Sequence, residues 1–360
     1  MKVAGHSYRS IEASPEGVVV VVDQTRLPFH FERLELRTLE DAAQAISTMQ
    51  VRGAPLIGAT AAWGLALAAR VDNSSNGIKE AAARLRATRP TAINLKRVVE
   101  EVAAALLGAP PAGRVALARR LAEQVCDDEV ERSRRIGVHG CAALRELHQR
   151  LRRPLNILTH CNAGWLATVD LGTALAPIYL AFDEGMPVHV WVDETRPRNQ
   201  GASLTAWELG QHGVPHTLIV DNAGGLLMRQ GRVDACIVGT DRVATNGDVC
   251  NKVGTYLKAL AAVDNRVPFY VAAPESSIDW GIEHGGDVPI EERDATEVTH
   301  LSGEDEHGVL RRVRVTALPT RAHNPAFDVT PGRLVTALIT ERGRCPASRE
   351  GLLSLFPERR

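Results

Sequence analysis

The chain has 360 residues, 44% of them apolar, which is enough to bury a large core and more than one core usually organises. Its 42 basic and 43 acidic residues are mixed along the chain and leave a formal net charge of -1. That balance excludes a broad field for drawing in nucleic acid or an anionic membrane, so any phosphate the protein binds must be met locally. No apolar run approaches the ~20 residues that span a bilayer. The opening MKVAGHSYRS lacks the apolar stretch of a secretory signal, so a cytoplasmic protein is expected. Six cysteines (Cys126, Cys141, Cys161, Cys236, Cys250, Cys345) show no C-x-x-C spacing, which suggests neither a zinc site nor a disulfide framework.

In chain order, Val18 to Val22 reads as a strand of a small sheet. From Glu40 to about Leu147 apolar residues recur at helical spacing, in DAAQAISTMQ, APLIGATAAWGLALAAR, IKEAAARLRATR, TAINLKRVVEEVAAALL and a long stretch after Pro111. After Arg153 short β-branched runs alternate with helical segments: LNILTH (155–160), VHVWVDE (188–194), HTLIV (216–220), ACIVG (235–239) and FYVAA (269–273). Such runs read as buried parallel strands joined by crossover helices. The expected architecture is α/β, a Rossmann-like doubly wound parallel sheet behind a mostly helical N-terminal domain. The expected division is 1–150 for the helical domain with its small sheet, 151–345 for the Rossmann-like catalytic domain and 346–360 for a C-terminal tail. Glu291 to Pro319 is polar and turn-rich, and its GEDEHG run reads as an exposed loop and not a site.

In open parallel sheets ligands bind beyond the carboxyl ends of the strands. The residues there are Cys161-Asn162-Ala163-Gly164 after LNILTH, Thr195 to Gly201 after VHVWVDE, Asp221-Asn222 after HTLIV, and Thr240-Asp241-Arg242 after ACIVG, leading on to Asn251-Lys252. These clusters are expected to converge on one edge. Cys161, between a strand and the next helix, would gain thiolate character from the helix dipole, although an inert buried cysteine is the commoner case. Asp241 in apolar surroundings would keep its proton at neutral pH and act as an acid, the ordinary alternative being a carboxylate paired with Arg242. A thiol and a carboxyl at two strand ends of one crevice make an acid/base pair.

Phosphate binding without a metal calls for guanidinium or ammonium groups and close backbone donors. Arg52-Gly53-Ala54 ahead of an apolar helix, Arg89, and Asn251-Lys252 offer them. GAPLIGAT, at Gly53 to Thr60, has P-loop glycine spacing, but Ala59 stands where a lysine is required. There is no G-x-G-x-x-G after a strand, no H-E-x-x-H and no G-x-S-x-G. The twelve histidines lack ligand spacing, and His160 is expected on the strand face opposite Cys161.

The segments VRGAPLIGATAAWGLAL, RPTAINL, THCNAGWLATVDLGTAL, VDETRPRNQGASLTAWEL, DNAGG, IVGTDRVATNGDVCNKVGTY and HNPAFDVTP, in this order, closely resemble the methylthioribose-1-phosphate isomerase family of methionine salvage. That family also includes regulatory subunits of the eukaryotic translation-initiation exchange factor. The likeness runs from about Val51 to Thr340. It departs at Cys250, where the family commonly has alanine, and in the loop from Gly303 to Arg314. The resemblance implies a homodimer, no cofactor and no metal, a catalytic cysteine at Cys161 and a catalytic aspartate at Asp241. Its substrate-binding positions fall on Arg52, Gly53, Ala54, Arg89, Gln200, Asn251 and Lys252. The implied reaction converts 5-methylthioribose 1-phosphate to its ketose by acid/base chemistry, with proton transfer or a hydride shift as the route. Two other readings are another sugar phosphate, such as 5-deoxyribose 1-phosphate or ribose 1,5-bisphosphate, and a non-catalytic subunit that binds a nucleotide or a partner protein.

Overall fold

Five helices, α1 (Leu39–Ser47), α2 (Ala54–Val71), α3 (Ser75–Arg86), α4 (Ile93–Gly108) and α5 (Pro111–Leu151), build the first half in a computed structural model that describes residues 1–90 and 92–360. Thr91, within the RPTAINL stretch, lies outside the described residues. Local signals set the helix ends. Thr38 and Asp41 form a reciprocal capping box at the start of α1, and the Ser74 hydroxyl caps α3. Alanine and leucine dominate α2, and it is apolar on every side, so it must sit inside a ring of neighbours. It packs against α1, α3, α4 and α5. Contrary to the sequence expectation, α2 is long and apolar enough to cross a bilayer, but 83% of it is buried within the protein, as a core helix is. The strand expected at Val18 to Val22 pairs as Val19–Val22 between Ile11–Ala13 and Arg33–Leu36, and Ile11, Val19, Val21 and Leu36 close the same core.

The second half is a seven-stranded sheet of β1 (Leu155–Thr159), β2 (Val188–Asp193), β3 (His216–Ile219), β4 (Ala235–Val238), β5 (Phe269–Ala272), β6 (Ala337–Thr340) and β7 (Gly343–Cys345). Its spatial order is β7-β6-β5-β4-β1-β2-β3. All neighbours are parallel except the final pair, β6 and β7. Alternation along each strand divides the core in two. Ile157, Val190 and Ile237 face the second half of α5 and α6 (Ala176–Asp183), while Leu158, Cys236 and Val238 join the core on the side of α8 (Ala223–Arg229) and α9 (Thr255–Asp264). The chain leaves β1 toward β2 and β3, then returns to lay β4 on the other side of β1. That reversal opens a crevice beyond the carboxyl ends of β1 and β4.

Three features go beyond the sequence reading. Short strands Arg242–Ala244, Val249–Lys252, Ile278–Asp279 and Phe327–Thr330 form a second, four-stranded sheet beside the crevice. The segment from Glu291 to Pro319, expected to be a loop, contains a one-turn helix (Thr296–Thr299) and an antiparallel hairpin of His300–Glu304 with Leu310–Arg314. The GEDEHG run forms the end and turn of that hairpin. After residue 345 the chain adds a helix, Arg349–Leu355, whose Leu352 is buried with Phe356 in the core of the large sheet.

Candidate active site

One cavity, of about 810 Å³ including its mouth, lies in the β1/β4 crevice, where the start of α2 meets the sheet. All nine residues singled out in the sequence line it: Arg52, Gly53, Ala54, Arg89, Cys161, Gln200, Asp241, Asn251 and Lys252. The clusters after β1, β2 and β4 converge there as expected. Asp221, after β3, does not reach the cavity. Its carboxylate accepts the backbone N–H groups of Thr195 and Arg196 at 2.8 and 2.7 Å and so holds the turn after β2.

Cys161 follows β1 in the left-handed region, at φ 66°, with its N–H donating to Thr195 Oγ1 at 2.8 Å. The helix start expected at this point is not there. A 3-10 turn, Trp165–Ala167, comes next, and α6 begins only at Ala176. Burial pushes the Cys161 thiol above its ordinary value, and in place of a helix dipole the nearby charges of Arg52 and Lys252 favour the thiolate. The Asp241 carboxyl is likewise pushed up by burial, in the expected direction, against the pull of Lys252, Arg89 and Arg52. Its neighbour Arg242 forms an ion pair with Asp279 at 3.2 Å.

Around this pair the polar groups are arranged for an anion. Gly53 caps α2 at φ 90°, and a Cβ there would lie 2.2 Å from the Ala167 carbonyl oxygen, so only glycine permits the close approach. The start of α2 has no side-chain cap, and it borders the cavity with its orphan N–H groups. Arg52 donates from Nη1 to Asn162 Oδ1 at 2.6 Å and from Nη2 to the Asn162 carbonyl at 2.8 Å. Lys252 donates from Nζ to the Ala326 carbonyl at 2.9 Å, and burial lowers its pKa while Cys161 and Asp241 raise it. Asn251 donates to Thr255 Oγ1 at 3.0 Å, and Gln200 has a buried Oε1 with no partner among the described residues.

Sequence reasoning missed Glu291 and Arg293, which reach the cavity from the segment taken for a loop. Glu291 accepts from Arg89 at 3.1 Å and from Arg293 at 2.8 Å. It also missed Glu208, in α7 (Ala206–His212), which lies behind Asn162 and is fully buried. No local pattern marks these residues, because they arrive from distant parts of the chain.

His160 borders the cavity even though it was expected on the opposite face. Its ring nitrogens are engaged with Asp193 Oδ2 at 2.8 Å and the Val253 carbonyl at 2.9 Å. His160, Asp193 and Asp221 bring ligand atoms within 4.8 Å of one another, a spacing that suits a metal ion. The Lys258 ammonium, however, stands 3.1 Å from Asp193 Oδ2 and also donates to the Asp221 carbonyl. The group carries its own cation, and we assign no metal to it.

Residues 50–347 match the Initiation factor 2 subunit family. The chain belongs to that family. Among members of the initiation factor 2 subunit family it is 60% identical, over its whole length and 99% of the relative, to a methylthioribose-1-phosphate isomerase of Methylorubrum extorquens. It is 59% identical to one of Paramagnetospirillum magneticum, with both chains fully covered. Its structure matches the crystal structure of 5-methylthioribose 1-phosphate isomerase from Pyrococcus horikoshii with a TM-score of 0.86 at 38% identity, covering 98% of this chain and 96% of the other. It also matches the translation initiation factor eIF-2B subunit delta from A. fulgidus, with a TM-score of 0.82 at 40% identity, covering 98% and 100%.

Proposed function

We propose that the protein is an aldose–ketose isomerase of methionine salvage, converting 5-methylthioribose 1-phosphate to 5-methylthioribulose 1-phosphate with Cys161 and Asp241 as its acid/base pair. The observation that carries this reading is the placement of Cys161 and Asp241 at the ends of adjacent strands in one cavity, within the fields of Arg52 and Lys252. The end-to-end likeness to isomerases of that name supports the substrate.

In an aldose 1-phosphate the anomeric carbon is locked as a phosphoacetal, so the ring must open before C1 and C2 can exchange oxidation state. Asp241, whose carboxyl is pushed up by burial and so favoured in its protonated form, gives its proton to the ring oxygen as the C1–oxygen bond breaks. Cys161 as thiolate removes the C2 proton, and the electron pair forms the C1–C2 double bond of an enol phosphate. The thiol then returns a proton to C1 while the C2 hydroxyl gives its own to Asp241, leaving the ketone and restoring both groups. Arg52, Arg89, Lys252 and the Gly53-Ala54 backbone hold the phosphate, while Gln200 and Asn251 orient sugar hydroxyls. Arg89 is engaged with Glu291, so an arriving phosphate competes with that carboxylate for it.

The working parts in this reading are residues 1–150, which bring the phosphate side, residues 151–345, which bring the acid/base pair, and the 346–360 tail. The resemblance further supports a cytoplasmic homodimer that acts without a cofactor.

Turnover of methylthioribose 1-phosphate in deuterated water, followed by NMR, tests this. Wild type is expected to form the ketose with deuterium at C1, and Cys161→Ser and Asp241→Asn each to lose about 10²–10⁴-fold in kcat. Product without deuterium replaces proton transfer by a hydride shift. No turnover by folded wild type rejects the reading and favours a binding subunit, the role suggested by the likeness to eIF-2B subunit delta.

A further inference from the structure

One buried carboxyl takes no part in these steps. Four donors converge on Glu208. Its Oε1 accepts from Asn162 Nδ2 at 2.9 Å and the Leu166 N–H at 3.1 Å, and its Oε2 from the Trp165 N–H at 2.9 Å and the Tyr179 hydroxyl at 3.0 Å. A Cβ at residue 164 would fall 1.8 Å from Oε2, so the bare backbone of Gly164 is what admits the carboxylate.

Asn162 is the link to the cavity. Its Nδ2 is committed to Glu208 and, at 3.2 Å, to Thr205 Oγ1, so its Oδ1 must face Arg52. Rotating the amide by half a turn would set NH₂ against a guanidinium and leave an acceptor against an acceptor. The carboxylate thus decides which end of Asn162 meets Arg52. It does so from one residue further back, and the hydrogen bonds recorded for Arg52 go to neutral acceptors. Direct contact with a carboxylate would largely cancel the guanidinium charge, whereas here Cys161 is the foremost of the negative groups that act on it.

We propose that Glu208 is a positioning residue, which fixes the Asn162 amide and thereby aims the Arg52 guanidinium at Cys161 and at the substrate phosphate. Only the phosphate part rests on the isomerase reading. Burial pushes the Glu208 carboxyl up to about 7, against the pull of its donors, so losing any one of them weakens its charge further. A glutamine at this position has one acceptor oxygen, and its NH₂ must face donors.

The test uses the full chain and no substrate. The pH dependence of Cys161 alkylation by iodoacetamide is measured in wild type, Glu208→Gln, Asn162→Ala, Arg52→Met and Glu208→Gln/Arg52→Met, with Cys161→Ser as the background from other thiols. We expect the alkylation midpoint to rise by about one pH unit in each of the three single variants. The double variant is expected to match Arg52→Met, because a residue acting through Arg52 has nothing left to act on. Should Glu208→Gln fail to fold, Glu208→Asp takes its place with the same expectation. An unchanged midpoint in the folded variant, or a double variant whose shifts add, overturns the proposal. A shift in an enzyme whose wild type does not turn over methylthioribose 1-phosphate sinks the isomerase reading and leaves the positioning role standing. Turnover without a shift does the reverse.

Discussion

Cys161 and Thr195 end neighbouring strands, both at φ 66°, a region that side chains with a Cβ enter only when their surroundings hold them there. The Thr195 hydroxyl is part of what holds them. Its Oγ1 accepts from the Cys161 N–H at 2.8 Å and donates to the Asp193 carbonyl at 3.0 Å, so one side chain ties the turn after β1 to the end of β2. Thr195 is fully buried, and no solvent replaces the hydroxyl if it is lost. Thr195→Val keeps the shape and removes the acceptor. We expect it to cost about 1–3 kcal/mol in urea denaturation and to lower kcat, because the thiol is no longer held in place. A variant as stable and as active as wild type would show that Cys161 holds its conformation without this bond.

At the scale of elements, the stretch from Glu291 to the one-turn helix Thr296–Thr299 acts as a strap that brings Glu291 and Arg293 over the cavity. Glu297 is its fastening, accepting from Arg198 Nη1 at 2.8 Å, Arg293 Nη2 at 2.6 Å and Asn324 Nδ2 at 3.1 Å. Burial disfavours the Glu297 charge, but the hydrogen bonds of Arg293 and Arg198 outweigh it and hold the carboxyl at about 2, below its ordinary 4.5. A carboxyl with a depressed folded value stabilises the fold fully above its unfolded value and loses that contribution as pH falls through the folded one. Wild type is therefore expected to lose this part of its stability between about 4.5 and about 2. Glu297→Gln is already without it at neutral pH, so its melting temperature should start lower and fall less steeply with acid. Parallel melting curves for the two proteins would show that Glu297 contributes nothing to the strap.

At the scale of the molecule, the cavity exists only because two halves meet. Arg52, Gly53, Ala54 and Arg89 come from the helical half, and Cys161, Gln200, Asp241, Asn251 and Lys252 from the sheets. The long α5 helps join them, with Ala118, Ala122 and Cys126 in the helical core and Ile136, Leu144 and Leu147 in the sheet core. Ion pairs reinforce the junction. Glu275, which follows β5, pairs with Arg97 of α4 at 3.2 Å and with Arg359 near the chain end at 2.7 Å. The last residues are thus structural, and Phe356 is fully buried, edge-on to Trp280 with ring centroids 5.8 Å apart. Phe356→Ala is expected to cost about 3–5 kcal/mol, read by urea denaturation, with kcat nearly unchanged in the folded protein. A loss under about 1 kcal/mol would mean that the terminal helix is dispensable.

Much of this architecture was legible before any coordinates. The five β-branched runs are strands to within a residue or two, and four of them are nearly continuous apolar runs because they are buried on both faces, whereas β3 is an edge strand with Leu218 exposed. Cys161 and Asp241 stood out because ligands gather at strand ends, the need for basic groups and close backbone donors at a phosphate pointed to Arg52, Gly53, Ala54, Arg89, Asn251 and Lys252, and the family likeness singled out Gln200. The strands of the second sheet are two to four residues long and carry polar groups such as Asn251 and Lys252, too short to register a period. Glu291 lies 202 residues from Arg89, and Glu208 lies 46 from Asn162, which is itself 110 from Arg52. The sequence by itself determined the long helices, five strands of the large sheet and which strand ends border the cavity, since hydrophobic period and turn chemistry are local. Only the tertiary structure decided which carboxylates stand behind Arg52 and Arg89, because that depends on where the packing of two cores brings distant side chains together.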